Sequence, residues 1–124
     1  KAGLPLNVYG SGDQTRTFCY ITDAIVGFLL VVLKGVPGGA YNIGNLKPEI
    51  SMIDLVDIIK GVSAKEITHN LIEYPDSYPT DEPMRRSPDI RKARLQLGFY
   101  PSVELEDGLK RFFDWTDQTY TGEQ

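Results

Sequence analysis

The sequence predicts a single α/β domain, residues 1–124, built from short mixed strands and about four helices. Two observations carry this prediction. Helix-length segments with apolar periodicity and capping residues alternate with short apolar runs, and glycine and proline separate them. With 41% hydrophobic and 24% charged residues, the 124-residue chain has an ordinary globular composition and is long enough for a modest core.

The first predicted strand is Leu6–Tyr9, which leads into a turn that holds Gly10 and Gly12. The same turn carries a polar triplet that ends in Arg16, and an apolar run at 18–21 comes next. Glycine lets a backbone come close to a ligand, and a guanidinium offers a planar fork of donors that matches phosphate. The stretch therefore fits an anion-binding loop. The alternative is an ordinary turn with a solvated arginine.

The first predicted helix begins near Thr22, a plausible N-cap, and Asp23 suits its first turn. It continues over Ala24–Lys34, where nearly every residue is apolar, so we expect most of its sides to be buried. The glycine- and proline-rich stretch 35–39 ends it. A short strand is predicted next, at Ala40–Ile43.

The second predicted helix begins at Ser51, because Ser51 and Asp54 approximate a capping box and an apolar stripe follows them. Residues 66–74 alternate in part and predict an exposed or edge strand. Residues 74–88 contain four prolines and show no apolar period, so they predict a long loop. Long loops in compact domains are often functional.

The last two predicted helices lie near the C-terminus. A cap, a proline at the first helical position and an acid at 87–89 predict a helix over Ile90–Leu97, which Gly98 ends. The final helix is predicted over Leu105–Thr119, with Leu109 and two phenylalanines on its apolar side.

The charge of the chain bears on its partners. Thirteen basic and seventeen acidic residues give a net charge of −4, which makes the chain a poor general binder of nucleic acid. Basic charge is nevertheless concentrated at 85–94, where five residues are arginine or lysine. The longest apolar run, at 24–33, is about half the length that spans a bilayer, so no membrane partner is expected.

The single cysteine, Cys19, excludes an intrachain disulfide, and no metal-ligand spacing is present. We expect Cys19 to be a small core residue in a reducing, cytoplasmic setting. The start of the chain lacks the apolar region of a signal peptide and reads like the middle of a longer protein.

Three segments, in a fixed order, resemble the extended short-chain dehydrogenases/reductases, which are NAD-dependent nucleotide-sugar epimerases, dehydratases and UDP-glucuronate decarboxylases. Residues 4–25, LPLNVYGSGDQTRTFCYITDAI, resemble the substrate-side segment of that family. Residues 40–45, AYNIGN, resemble the strand and turn that follow the helix. Residues 81–93, DEPMRRSPDIRKA, with the later LGF and LEDGL, resemble the C-terminal signature. The resemblance covers nearly the whole chain and implies the C-terminal, substrate-binding portion of such an enzyme.

The resemblance also implies roles for two arginines. Arg16 and Arg86 match family positions that contact the diphosphate or sugar of the substrate, and Arg85 either shares that role or is the alternative to Arg86. A nucleoside diphosphate carries about two negative charges, which two guanidinium groups from distant parts of the chain would clamp. A solvated charge beside a helix start is the other interpretation of Arg86.

Three further substrate-binding residues follow from the same resemblance. Asn7 and Tyr9 lie where the family's strand meets the nucleobase, and the Tyr9 ring is either stacked on that base or packed in the core. Gln14 either hydrogen-bonds the substrate or, as we prefer, orders the loop.

The chain lacks the family's redox machinery. None of its seven tyrosines has a lysine four residues later, so the catalytic Tyr-x-x-x-Lys motif is absent. The run 10–12 is half of a dinucleotide fingerprint, because Thr15 stands at the third glycine position. We therefore expect no catalytic, cofactor-binding or metal-binding residue here, with NAD held by an upstream Rossmann half that this chain lacks.

Two expectations follow for the isolated chain. By itself it should be inactive, and it should expose an apolar face where the other half packs, which a homodimer would cover. The alternative is a stand-alone, non-catalytic module that binds sugar nucleotides or another protein.

Overall fold

The computed structural model describes residues 3–78 and 83–119. Within these ranges four helices and five short strands form a mixed α/β fold, as the sequence predicts. The elements in order are β1 Leu6–Tyr9, β2 Thr15–Thr17, α1 Ile21–Lys34, β3 Glu49–Ser51, α2 Met52–Val62, β4 His69–Ile72, β5 Arg85–Arg86, α3 Arg91–Leu97 and α4 Leu105–Thr119.

The strands form two small sheets. In the first sheet, β1 and β4 run parallel, with Leu6 opposite His69 and Tyr9 opposite Ile72. In the second, β2 lies between β3, which is antiparallel to it, and β5, which is parallel to it. The second sheet therefore joins three segments that are far apart in the sequence.

The core lies around α3 and the residues just beyond it. Ile90, Ala93 and Leu97 follow a helical period, so they share one face of α3, and Phe99 completes the fully buried cluster. Half-buried residues of α1 and of the segment after it cover this cluster: Leu30, Val31, Tyr41 and Ile43.

The start of α1 differs from the prediction. Tyr20 is the N-cap residue and makes no side-chain cap bond, so the prediction that Thr22 caps this helix is wrong. The position of Asp23 in the first turn is confirmed. Its buried carboxylate accepts hydrogen bonds from the backbone amides of Ser102 and Val103, both at 2.9 Å. Asp23 thus joins α1 to the segment that precedes α4.

The prediction that most sides of α1 are buried is wrong in this chain. Within the helix only Asp23 and Gly27 are buried, whereas Phe28 is 64% exposed and Val32 is 80% exposed. One side of α1 packs against the α3 core, and the opposite side is apolar and open. We define this open side as the α1 apolar face. It consists of Ile21, Ile25, Phe28, Leu29, Val32 and Leu33.

The middle of the chain confirms one prediction and corrects another. The Ser51 hydroxyl accepts a hydrogen bond from the Asp54 amide, and the Asp54 carboxylate accepts one from the Ser51 amide, so the capping box is confirmed. The strand predicted at Ala40–Ile43 does not form. Side chains hold this segment instead, since the Asn42 amide donates to the Asp89 carbonyl at 3.0 Å.

Two predicted boundaries shift. The strand predicted at 66–74 is shorter, His69–Ile72. The third helix begins at Arg91, where the Asp89 carboxylate, rather than Ser87, accepts a hydrogen bond from the first helical amide at 2.9 Å. The helix ends at Gly98, as predicted, with φ +71°. The last helix occupies Leu105–Thr119, also as predicted.

Two segments expected to be irregular contain strands. β2 lies in the predicted turn, and β5 lies in the predicted long loop, because each supplies hydrogen-bond partners to the other. Residues 79–82 of that loop are outside the described ranges. Among the helices of residues 3–78 and 83–119, none combines the length and the apolar character needed to cross a bilayer.

Candidate functional site

The sheet formed by β3, β2 and β5 brings the two predicted arginines together. Arg16 of β2 is the register partner of Arg86 in the parallel strand β5, and neighbouring strands lie about 4.8 Å apart. Side chains alternate between the faces of a sheet, so Arg16 and Arg86 share one face with Ile50 of β3. Two arginines from distant parts of the sequence therefore occupy neighbouring positions on one face of the sheet.

Arg16 stands between two adjoining cavities. The first, of about 330 Å³, we call the β1–α2 cavity, because strand β1 and helix α2 form most of its walls. The second, of about 570 Å³, we call the β2–β5 cavity, and both Arg86 and Arg85 line it together with Arg16. One guanidinium nitrogen of Arg16 donates to the carbonyls of Thr15, at 2.7 Å, and Met84, at 3.4 Å. These bonds orient Arg16 where the two cavities meet.

The β1–α2 cavity holds four of the five predicted substrate-binding residues. Its polar part consists of Asn7, Gln14 and Arg16, with the half-buried ring of Tyr9 beside them. Its opposite wall is apolar and comes from α2: Met52, Leu55, Val56 and Ile59. The fifth predicted residue, Arg86, lies in the adjoining cavity.

Tyr9 belongs to a cluster of three tyrosines. Its ring is stacked on Tyr74, with 5.6 Å between centroids and 19° between planes, and it is 5.5 Å from the tilted ring of Tyr78. Tyr74 and Tyr78 are themselves 4.7 Å apart. Neither residue was predicted to belong to the site. The only signal in the sequence was their place at the start of the long loop.

Gln14 has an ordering role in the structure. It is 8% exposed, and its side-chain amide donates to the Tyr9 carbonyl at 3.2 Å. Its backbone carbonyl accepts from the Met52 amide at 3.1 Å. Gln14 thus ties strand β1 to the start of α2. Asn7, in contrast, is exposed at the edge of the cavity.

The two glycines of the turn make room for neighbouring side chains. Gly10 has φ +64°, and a Cβ built there would lie 2.9 Å from the Tyr74 ring. Gly12 has φ +79°, and its Cβ would lie 2.9 Å from Val8 and 3.2 Å from Ile53. The space beside these two glycines, where a ligand was expected to approach the backbone, is therefore filled by this chain's own side chains. A strand follows the turn, so it does not form the loop-to-helix cradle that holds a dinucleotide pyrophosphate.

Arg85, the alternative to Arg86, lies on the opposite face of the sheet. Its guanidinium makes a two-pronged ion pair with Glu49, at 2.8 and 2.7 Å. The Thr15 hydroxyl donates to the same carboxylate at 2.7 Å. Hydrogen bonds from Arg85 and Thr15 hold the pKa of Glu49 below its ordinary value, so this carboxylate is ionised at neutral pH. Glu49 was not predicted, and no spacing in the sequence links it to Arg85.

Cys19 is half-buried and lines a third, apolar cavity of about 260 Å³ between the start of α1 and helix α4. Burial, and to a lesser extent the charge of Asp23, raises the pKa of its thiol, which therefore stays neutral at pH 7. Among residues 3–78 and 83–119, no group of three His, Cys, Asp or Glu side chains is placed to hold a metal ion.

The fold and the site define an α/β segment in which Arg16 stands between a cavity with aromatic and apolar walls and a second cavity that Arg86 also lines. The NAD dependent epimerase/dehydratase family model matches residues 1–44. UDP-glucuronic acid decarboxylase 1 of Arabidopsis thaliana is 37% identical over 86% of this chain and 23% of its own length. The dTDP-D-glucose 4,6-dehydratase of Bos taurus is 33% identical over 91% of this chain and 32% of its own length.

A solved structure agrees with these relatives. The UDP-glucuronic acid 4-epimerase of Bacillus cereus, in complex with UDP-glucuronic acid and NAD, superposes with a TM-score of 0.81 at 35% identity. The match covers 95% of this chain and 37% of that one. The chain therefore belongs to the extended short-chain dehydrogenase/reductase family of nucleotide-sugar epimerases and dehydratases, and its extent fits the C-terminal part of such an enzyme. It spans about a quarter to a third of the length of these curated relatives.

Proposed function

We propose that residues 1–124 act as one substrate-side domain of an NAD-dependent nucleotide-sugar epimerase, dehydratase or decarboxylase. In this proposal the chain binds the nucleotide and the diphosphate of a nucleotide sugar and orients the sugar for chemistry performed elsewhere in the enzyme. Binding energy and orientation are its contribution, because holding a reactant in the correct geometry removes much of the entropic barrier to reaction.

The observation that carries the proposal is the pairing of Arg16 with Arg86 in adjacent parallel strands. A pyrophosphate carries about two negative charges, so two arginines at neighbouring positions on one face of a sheet match it in charge. Charge-assisted hydrogen bonds of this kind contribute on the order of 1.5–3 kcal/mol each. Both arginines line the β2–β5 cavity, which is large enough to admit a diphosphate.

The β1–α2 cavity suits the nucleoside. Arg16 lines both cavities, so the nucleoside attached to a diphosphate at Arg16 would lie beside Tyr9 and the exposed amide of Asn7. An aromatic cluster and an apolar wall from α2 offer a planar base a stacking partner and a dry surface. Gln14 supports the site indirectly, by fixing Tyr9 and the start of α2.

NAD would be held by another part of the enzyme in this proposal. The cofactor accepts a hydride from the sugar and returns it in such enzymes. The turn at Gly10 and Gly12 is filled by the chain's own side chains and leads into a strand, so it does not fit a dinucleotide. This supports a division of labour in which an N-terminal Rossmann half supplies cofactor binding and the catalytic residues.

The α1 apolar face supports the same division. The six large apolar side chains of this face lie exposed along one helix, which is more than an isolated surface residue or two would explain. We propose that this face packs against the cofactor-binding half in the intact enzyme. In the isolated chain, a second copy is the available substitute.

Titration of UDP into the chain by isothermal calorimetry tests the substrate proposal. Arg16→Ala and Arg86→Ala are each expected to weaken UDP binding at least ~10-fold, which corresponds to about 1.4 kcal/mol. Arg111→Ala is the matched control, because it removes the same charge from α4, which lines neither of the two cavities. That variant should bind UDP like the wild type.

Either of two results would contradict the proposal. One is a wild-type chain that does not bind UDP or dTDP at millimolar concentration. The other is equal affinity in the wild type, Arg16→Ala and Arg86→Ala, since two arginines that contact the diphosphate cannot both be dispensable.

A further inference from the structure

Glu49 connects all three strands of the sheet that carries the paired arginines. It lies in β3, opposite Thr17, on the face that Thr15 and Arg85 share. Its carboxylate accepts from the Thr15 hydroxyl of β2 and from two nitrogens of Arg85 in β5. Glu49 therefore reaches across the central strand and bonds to the outer one.

The outer strand needs such a connection. β5 contains only two residues, Arg85–Arg86, and strands this short are weakly held by their backbone bonds alone. The Met84 carbonyl accepts from the Thr15 amide at 2.7 Å, which is one tie between β5 and β2. The two-pronged ion pair between Arg85 and Glu49 is another tie, and it is the one that bridges the full width of the sheet.

Both β5 arginines line the β2–β5 cavity, and the register of β5 decides which of them stands beside Arg16. Consecutive residues of a strand point to opposite faces, so a slip of one residue exchanges Arg85 and Arg86. With Arg85 held by Glu49 on one face, Arg86 must lie on the other face, beside Arg16. Two adjacent arginines would otherwise be interchangeable by sequence and by charge.

We propose that Glu49 is a positioning residue of the anion site: by holding Arg85 on the Thr15 face, it fixes β5 in the register that places Arg86 beside Arg16. The inference rests on the proposed function for the identity of the anion, a nucleoside diphosphate. Glu49 does not touch the anion in this arrangement. It acts through the strand that carries Arg86.

The proposal predicts an effect opposite in sign to that of simple electrostatics. Removing a negative charge close to a bound anion strengthens binding if only the field matters. If Glu49 positions β5, removing the Glu49 charge weakens UDP binding instead, because Arg86 is then no longer held beside Arg16. Glu49→Gln keeps the shape of the side chain and removes its charge, so the direction of the change in UDP affinity separates the two explanations.

The test uses the full chain and four forms: wild type, Glu49→Gln, Arg85→Glu, and the charge exchange Glu49→Arg with Arg85→Glu. We expect Glu49→Gln and Arg85→Glu each to weaken UDP binding at least ~10-fold by calorimetry. The charge exchange restores the ion pair and should recover most of that loss. Because the exchange also restores the local net charge, the direction of the change in Glu49→Gln is what distinguishes position from field.

Hydrogen exchange supplies a readout that does not depend on UDP. The Thr15 amide donates to Met84, so its protection reports whether β5 is docked on β2. We expect this amide to exchange at least ~10-fold faster in Glu49→Gln, with protection in α4 unchanged and protection restored by the charge exchange. Global unfolding is distinguished because it would accelerate exchange in α4 as well.

The outcomes separate this inference from the proposed function. Unchanged or tighter UDP binding by Glu49→Gln, or an unchanged Thr15 exchange rate, overturns the positioning role. If the wild type fails to bind UDP, the proposed function fails, and the exchange rates alone decide whether Glu49 fixes β5.

Discussion

Arg85 and Arg86 are neighbours in the chain, yet they lie on opposite faces of one sheet. Arg85 is paired with Glu49, and Arg86 stands beside Arg16. The sequence indicates that this region is basic but does not distinguish the two side chains by composition or by spacing. Side-chain alternation in a strand makes the distinction, and the strand exists only because β2 is there to pair with it.

Asp89 shows how one carboxylate replaces a predicted cap. It accepts a hydrogen bond from the Arg91 amide and pairs with the Arg91 guanidinium, at 2.9 and 2.6 Å. These bonds lower its pKa from 3.8 to about 2. Because the folded-state pKa lies below the ordinary value, Asp89 stabilises the fold fully above the ordinary pKa and loses that effect as the pH falls towards 2.

This gives a pH-dependent prediction. Asp89→Asn should melt at a lower temperature than the wild type at neutral pH, and the difference should shrink between about pH 4 and pH 2. Circular dichroism melts of both proteins across that range provide the measurement. A difference in melting temperature that persists undiminished at the acidic end would contradict the role assigned to the carboxylate.

At the scale of the elements, two local helix ends were predicted correctly, whereas the caps predicted at Thr22 and Ser87 were wrong. The capping box of Ser51 and Asp54 and the left-handed stop at Gly98 depend on residues within one turn of the helix end. Strands were predicted poorly, because β2 and β5 have no apolar alternation and depend on partners far along the chain. The opposite error occurs at Ala40–Ile43, where a strand was predicted from the sequence but no partner strand pairs with the segment.

Two glycines next to open space test how far backbone conformation at a helix end contributes to stability. A Cβ at Gly98 or at Gly61 would contact nothing within 4 Å. Gly98 has φ +71°, so Gly98→Ala should lower the free energy of unfolding by about 1 kcal/mol. Gly61 lies inside α2, so Gly61→Ala should raise that free energy by up to ~1 kcal/mol.

Urea denaturation of the two variants measures both changes. Each serves as the control of the other, since the same methyl group is added to open space in both. Changes of the same sign in the two proteins would contradict the conformational explanation.

At the scale of the whole molecule, the chain has a well-packed side and an open one. The α3 core, with Ile90, Leu97 and Phe99, is fully buried. The α1 apolar face is exposed, although its composition predicts burial. We interpret the exposure of a helix that is apolar nearly all round as a missing contact, and we propose the cofactor-binding half as its partner.

The exposed face predicts the behaviour of the isolated chain. We expect it to bind an apolar fluorescent dye and to form dimers in sedimentation velocity at high protein concentration. A double variant, Phe28→Lys with Val32→Lys, should lose both properties without loss of melting temperature, since neither side chain is buried.

Leu95→Lys is the matched control. Leu95 is 86% exposed on α3, outside the α1 apolar face, so its replacement should change neither dye binding nor association. A wild-type chain that is monomeric and does not bind the dye would contradict the missing-contact interpretation and favour a stand-alone module.

The sequence by itself determined the family resemblance, the α/β class, the Ser51 capping box, the helix stop at Gly98 and the choice of Arg16 and Arg86 as candidate anion ligands. These depend on local patterns and on ordered motifs. Only the tertiary structure decided that Arg86 rather than Arg85 faces Arg16, that Glu49 joins the three strands, and that Tyr74 and Tyr78 surround Tyr9. The physical reason is that strand pairing and side-chain alternation are long-range relations between segments, which no local window of the sequence contains.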